Sequence, residues 1–264
     1  MTNFRSNKRM FLSLSLAAAL ACCDISGCGG HHLQAAPTAD GANSRNATAD
    51  PSALADRGKL IFDQTPKYAS GYVGNKLACN DCHIRSGTAA HAAPMVDLAG
   101  LFPMFNKRAG HVISLQNRIQ ECFARSEAGQ PPPENSAEIQ ALVAYIDGLS
   151  RNGVKGKAWQ GRGLVKVPAL TGNPAAGKAV YAAQCAGCHG ADGAGVPPVL
   201  PPLWGSGSYN DGAGMNNPAK MTAFVLYNMP QNHPGTLTPQ EAWDVSAYIH
   251  TKARPKFNRA FKDY

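Results

Sequence analysis

Two Cys-X-X-Cys-His pentapeptides, Cys79-Asn80-Asp81-Cys82-His83 and Cys185-Ala186-Gly187-Cys188-His189, each set two thiols three residues apart beside an imidazole. That spacing lets both thiols capture the vinyl groups of one haem and brings the histidine under its iron as axial ligand. The plainer reading is a zinc or redox Cys-X-X-Cys followed by an accidental histidine. It fails because the pattern occurs twice in the same surroundings. Gly58-Lys59 with Phe62, and Gly177-Lys178 with Tyr181, open a helix before each motif, and a later helix carries Tyr145 or Tyr248. Two covalently bound haem c, with their iron, are therefore the expected cofactors.

The copies differ where an electron carrier places its second axial ligand. Met229 follows His189 by 40 residues, and Cys122 follows His83 by 39. Met229 competes with Met215, Met221 and His233, but Pro230 behind it favours an extended turn that lets a thioether point at iron. A His/Met haem is electron-transfer equipment. Cys122 sits among Leu115, Ile119 and Phe123 at helical spacing, which also suits a buried structural cysteine. The repeat nevertheless puts it in the ligand slot, since Met95, Met104, His91 and His111 are misplaced. A thiolate there suggests chemistry at sulfur as well as electron transfer. From Met104 to Ser126, Lys107, Arg108, Arg118 and Arg125 face one acid, Glu121. Arg118, Cys122, Arg125 and Ser126 fall on adjacent turns of one helix, where cations favour a thiolate and attract a small anion. For Arg125 alone, a solvated face or a haem propionate is the better reading.

The elements that must position these groups are helical. Hydrophobic spacing predicts helices from Ser52 through Phe62, around Leu115–Phe123, and over Ile139, Leu142, Val143, Ile146 and Leu149. Further helices are expected at Pro174–Ala183, Pro218–Tyr227 and Pro239–Thr251. The last is introduced by Thr238-Pro239-Gln240-Glu241, which offers an N-cap, a first-turn proline and a capping glutamate. Helices joined by loops that wrap a haem, twice over, give a mainly α chain of two tandem cytochrome c domains. The 264 residues divide into a leader (1–21), a flexible tether (22–50), a first domain (51–153), a linker (154–173) and a second domain (174–264).

The leader places Arg5, Lys8 and Arg9 before an apolar run from Met10 to Ala21, too short for a confident membrane span and typical of a secretory signal. Ala19-Leu20-Ala21-Cys22 resembles a lipoprotein cleavage box, so lipid attachment at Cys22 is favoured over a cut near Ala35-Ala36. Either route leads to the periplasm, where haem attachment takes place. Of eight cysteines, four hold haem, three (Cys22, Cys23, Cys28) lie beside the leader, and Cys122 alone remains inside a domain. Loss of residues 1–21 lowers the formal charge from +8 to +5. With no basic run interleaved with aromatics, nucleic acid is excluded as a partner.

Beyond the haem motifs, the chain resembles the dihaem thiosulfate dehydrogenases that form tetrathionate. The first half carries this in Ala92-Ala93-Pro94, Val96, Gly100, Phe102-Pro103, Arg108, Gly110, Arg118-Ile119, Cys122-Phe123-Ala124-Arg125-Ser126 and Gly129. The second half carries it in Pro202-Leu203-Trp204-Gly205, Tyr209-Asn210, Gly212-Ala213-Gly214-Met215, Asn228-Met229-Pro230, Gln240-Glu241-Ala242, Asp244-Val245 and Arg254-Pro255. The resemblance implies a haem one ligated by His83 and Cys122, a substrate pocket of Arg108, Arg118 and Ser126, and a haem two ligated by His189 and Met229. Some members place a lysine before that methionine and exchange ligands; Asn228 stands here, so no exchange is expected. The implied reaction joins two thiosulfates into tetrathionate through a Cys122 adduct and passes electrons to an external acceptor such as a small periplasmic cytochrome c. The reverse reduction uses the same site. The competing readings are a non-catalytic dihaem shuttle, a Sox-type cytochrome acting on a protein thiol, and, more weakly, a dihaem peroxidase.

Overall fold

The computed structural model describes residues 50–150 and 158–264. The expected leader, the Cys22 anchor, the tether through 49 and the start of the expected linker lie outside them. In chain order the helices are α1 (Pro51–Asp63), α2 (Thr65–Tyr68), α3 (Cys79–Cys82), α4 (Ile84–Gly87), α5 (Leu115–Arg125), α6 (Ala137–Gly148), α7 (Pro174–Gln184), α8 (Ala186–His189), α9 (Pro218–Asn228) and α10 (Pro239–His250). None is long and apolar enough to cross a membrane. The six long helices fall where hydrophobic spacing and capping residues put them. Asp50, Ser114, Ser136, Asn173, Asn217 and Thr238 each accept a hydrogen bond from the first turn that follows, satisfying donors that a helix start leaves free. Thr238 and Glu241 form the expected reciprocal box, with Thr238 N donating to Glu241 Oε2 at 2.8 Å.

The repeated glycine explains how each half closes. A Cβ on Gly58 would overlap the Ala141 carbonyl oxygen, and one on Gly177 would overlap that of Asp244. Glycine therefore lets α1 cross α6, and α7 cross α10, at backbone contact. The aromatic residue one turn later locks each crossing: Phe62 stacks at 5.4 Å from Tyr145, and Tyr181 at 5.6 Å from Tyr248. Tyr145 Oη and Tyr181 Oη then donate to the Ser86 and Gly190 carbonyls, each at 2.6 Å, tying the first helix pair to α4 and the second to the residue that ends α8.

Spacing did not foretell a short antiparallel hairpin, β1 (Met104–Asn106) paired with β2 (His111–Ile113). Its cause is local turn chemistry. Asn106 Oδ1 accepts from Arg108 N at 2.8 Å, and Gly110 takes the left-handed φ of 79° that glycine tolerates. The turn projects Lys107 and Arg108.

One apolar cluster fills the first half around Phe62, Phe123, Ile139 and Leu142, and a second fills the other around Tyr181, Val225, Val245 and Ile249. A third, Ala89, Ala92 and Phe224, joins the halves and receives Ile84, Leu164, Met215 and Met229 at its margin. The polar seam is anchored on the end of α5. Asn210, 2% exposed, donates through Nδ2 to the Ala124 carbonyl at 2.8 Å, and Asn75 Nδ2 donates to the carbonyls of Ser126 (2.7 Å) and Ser208 (3.2 Å).

Candidate active site

The local sequence fixes from behind both histidines that were expected to bind haem. His83 Nδ1 donates to the Ala93 carbonyl at 2.6 Å, and His189 Nδ1 donates to the Pro201 carbonyl at 2.8 Å. Each bond sets the tautomer that leaves Nε2 with its lone pair free for a metal. Burial pushes His83 down to about 4, against the Ala93 hydrogen bond, so its ring is neutral and competent as a ligand. Ala93 N is in turn held by the Gly163 carbonyl at 3.1 Å, so residues from the expected linker brace the loop behind His83. Thr65 Oγ1 accepts from Cys79 N at 3.0 Å and positions the first thiol. No cysteine among the described residues is in a disulfide.

Cys79, Cys82 and His83 line a cavity of about 570 Å³ together with Cys122, Arg108, Arg118 and Ser126. The sequence-expected site of the first half is thus brought together in one place. The cavity fits a haem on four grounds, of which three are its size, its apolar walls from Phe62, Leu98, Phe102, Leu142 and Ile146, and the two unbonded thiols with a preset imidazole. A fourth is Glu127, which lines it. Its Oε2 is buried without a partner, and burial, then Asp81, pushes its carboxyl well above the usual range. A prosthetic group would cover such a group.

Helix α5 presents the sulfur. Arg118, one turn before Cys122, donates from Nη1 to Cys122 Sγ at 3.2 Å. Electrostatic interaction with Cys122 is the largest influence raising the Arg118 pKa, against burial. Glu121, 1% exposed, organises the cations: its Oε2 lies 3.3 Å from Arg118 Nη1 and accepts from Asn106 Nδ2 at 2.9 Å, while Oε1 lies 3.8 Å from Arg108 Nη1. Sequence reasoning counted Glu121 only as the lone acid. Its i, i+3 relation to Arg118 was the available signal. Lys220 of α9 also lines the cavity, and desolvation there, then Arg108 and Arg118, pushes its pKa down. Nothing in the sequence joined Lys220 to Cys122, because it arrives from the other half by folding.

Arg125 departs from one of its two expected readings, the solvated face. It is 6% exposed and stacks 4.1 Å over the Phe257 ring, with Nη2 donating to the carbonyls of Tyr264 (3.2 Å) and Lys262 (3.4 Å). It faces neither solvent nor the Cys122 cavity, because the C-terminal tail folds back over it.

In the second half, Met229 caps α9 in an extended conformation (φ −123°, ψ 147°) and rests half-buried against the cluster that holds Tyr181, with Cys185 and Trp204 at the same margin. Of its competitors, Met221 is core at 5% exposed, His233 is exposed, and Met215 shares Met229's surroundings. Asn228 Nδ2 donates to the His91 carbonyl at 3.2 Å, across the seam.

Residues 68–154 match the family model described as SoxA/TsdA, cytochrome c domain, and residues 174–253 match that described as Cytochrome c. A thiosulfate dehydrogenase of Stutzerimonas stutzeri is 41% identical over 77% of this chain and 68% of that protein. One of Allochromatium vinosum is 37% identical over 78% of this chain and 80% of that one. The solved thiosulfate dehydrogenase (TsdBA) of Marichromatium purpuratum in its as-isolated form superposes with a TM-score of 0.76 at 36% identity, covering 82% of this chain; the present chain spans 50% of that one. Two cytochrome c domains imply covalent haem c in both halves, and the chain belongs to the thiosulfate dehydrogenase family of oxidoreductases.

Proposed function

We propose that the chain oxidises two thiosulfates to tetrathionate at Cys122, with electrons leaving to an external acceptor such as a small c-type cytochrome. The observation that carries this is a cysteine sulfur hydrogen-bonded by Arg118 in a cavity whose lining holds five cations, Lys107, Arg108, Arg118, Arg162 and Lys220, against Glu121 and Glu127. Burial drives Glu127 toward its neutral form, so the cavity favours a small dianion. His83 with Cys122, and His189 with Met229, would hold the two irons, and Cys79, Cys82, Cys185 and Cys188 would bear the thioethers. The haems, when bound, supply one-electron acceptance in two steps.

Arg108 and Arg118 hold the sulfonate oxygens by charge-assisted hydrogen bonds, and Ser126, at the end of the same helix, offers a neutral donor. The Cys122 thiolate and the outer sulfur of thiosulfate form an S–S bond as two electrons depart, giving a Cys122 Sγ–S–SO₃⁻ adduct in which the second sulfur comes from the substrate. A second thiosulfate attacks the substrate-derived sulfur of that adduct. Its S–S bond to Cys122 breaks, tetrathionate leaves, and the thiolate is regenerated. The same residues serve tetrathionate reduction run backwards. Export to the periplasm, with a lipid on Cys22, completes the proposal. Haem-loaded protein mixed with thiosulfate and ferricyanide should form tetrathionate. Haems that reduce and reoxidise without tetrathionate would instead make the chain an electron shuttle.

A further inference from the structure

Beside the Cys122 cavity lies a second cleft of about 660 Å³, lined by Arg108, Arg125, Lys256, Arg259 and Lys262 with Asp211 as its one carboxylate. Two features make it more than a basic patch. Arg125 is 6% exposed and its Nε is buried without a partner, although Nη2 is engaged by the tail carbonyls. In addition, Arg108 belongs to the linings of both cavities, so an anion held in the second is presented to the same guanidinium that serves the first. The tail is fixed in place to supply its cations. Asp211 accepts from Phe257 N at 2.7 Å and pairs with Lys256 at 3.1 Å, while Phe257 lies under Arg125. Asp211 is thereby spent on the tail and Glu121 lies against Arg108, while Arg259 and Lys262 form no ion pair among the described residues.

We propose that this cleft is a second anion subsite, which holds a small sulfur oxyanion of the thiosulfate class next to the Cys122 cavity. The identity of the anion rests on the thiosulfate reading above; the site itself rests on the buried guanidinium and the tail. Its use follows from stoichiometry. The reaction consumes two dianions at one thiolate, and the adduct formed by the first is attacked by the second. A waiting dianion near Arg108 shortens that step by proximity.

The test is calorimetric titration of thiosulfate into holoenzyme whose haems have been reduced electrochemically beforehand, so that bound substrate has no electron sink. Wild type should take up two equivalents per chain. The triple variant Lys256→Gln, Arg259→Gln, Lys262→Gln should take up one, with an unchanged haem spectrum. The tail side chains replaced are exposed, and the single variant Lys262→Glu should weaken the second equivalent in the same direction if the triple folds poorly. One equivalent in both proteins, or two in both, would overturn the subsite while leaving Cys122 chemistry intact. No uptake by either would remove thiosulfate as ligand and the subsite with it. A changed haem spectrum with unchanged uptake would assign the cations to haem carboxylates. A raised KM for a cytochrome acceptor with unchanged uptake would assign them to protein docking. Either assignment overturns the proposal.

Discussion

At the scale of residues, the arrangement around Cys122 turns on a division of labour between two charges of opposite sign. Glu121, almost wholly buried, orients Arg118 and Arg108, and Arg118 in turn reaches the sulfur. Removing one charge-assisted donor to a bound anion costs about 1.5–3 kcal/mol. Arg118→Ala should therefore lower kcat/KM for thiosulfate by roughly 10- to 100-fold, and Arg118→Lys should recover only part of it because the planar fork is lost. Lys220→Ala should raise KM with little change in kcat if its charge only gathers the anion at the cavity; steady-state kinetics separates these. Much of this site was legible from spacing. Cys122 was placed by its distance from His83, and Arg118 by a four-residue step on the same helix. Glu121 was seen but not weighed, since a sequence does not show that a helix face is buried. That Arg125 is not a solvated face was hidden because the ring that covers it, Phe257, is remote along the chain.

At the scale of elements, the two halves repeat one device: a glycine, an aromatic residue one turn on, and a partner helix. Gly58→Ala and Gly177→Ala each drive a methyl into a facing carbonyl. Overpacking typically costs about 1–3 kcal/mol, and more where backbone must move, so both should lower the thermal midpoint of holoprotein, by calorimetry, without touching the thiolate. At the start of α10, Thr238→Ala should cost about 1 kcal/mol. The pH sense is set by Glu241, whose carboxyl is held below its usual value chiefly by the Thr238 backbone N–H, then by its hydroxyl. Such a group stabilises the fold above its ordinary pKa, and that contribution is lost as pH falls through the lowered folded value. The stability gap between wild type and Glu241→Gln should accordingly narrow in acid. These helices announced themselves through capping residues and apolar spacing. The hairpin of β1 and β2 did not, because three-residue strands carry too little periodicity to be read, and only Asn106 and Gly110 marked the turn.

At the scale of the whole molecule, the second half helps to build the first half's cavity. Lys220 reaches the Cys122 cavity, Asn210 secures the end of α5 and the C-terminal tail covers Arg125. A sequence divided into two domains and a linker describes the repeat but hides this dependence, since every one of these contacts is long-range. Asn210→Ala removes a buried donor to the Ala124 carbonyl, at a cost of about 1–3 kcal/mol. It should reduce turnover as well as stability, because it frees the helix that carries Cys122. All of this converges on one sulfur atom, and the most direct measurement is intact-mass analysis of holoenzyme after a single oxidising equivalent pair with limiting thiosulfate. The account predicts one thiosulfate-derived S₂O₃ group on Cys122, released as tetrathionate on adding more thiosulfate, and absent in Cys122→Ala, which should be inactive. An unmodified chain together with full tetrathionate formation by Cys122→Ala would contradict it.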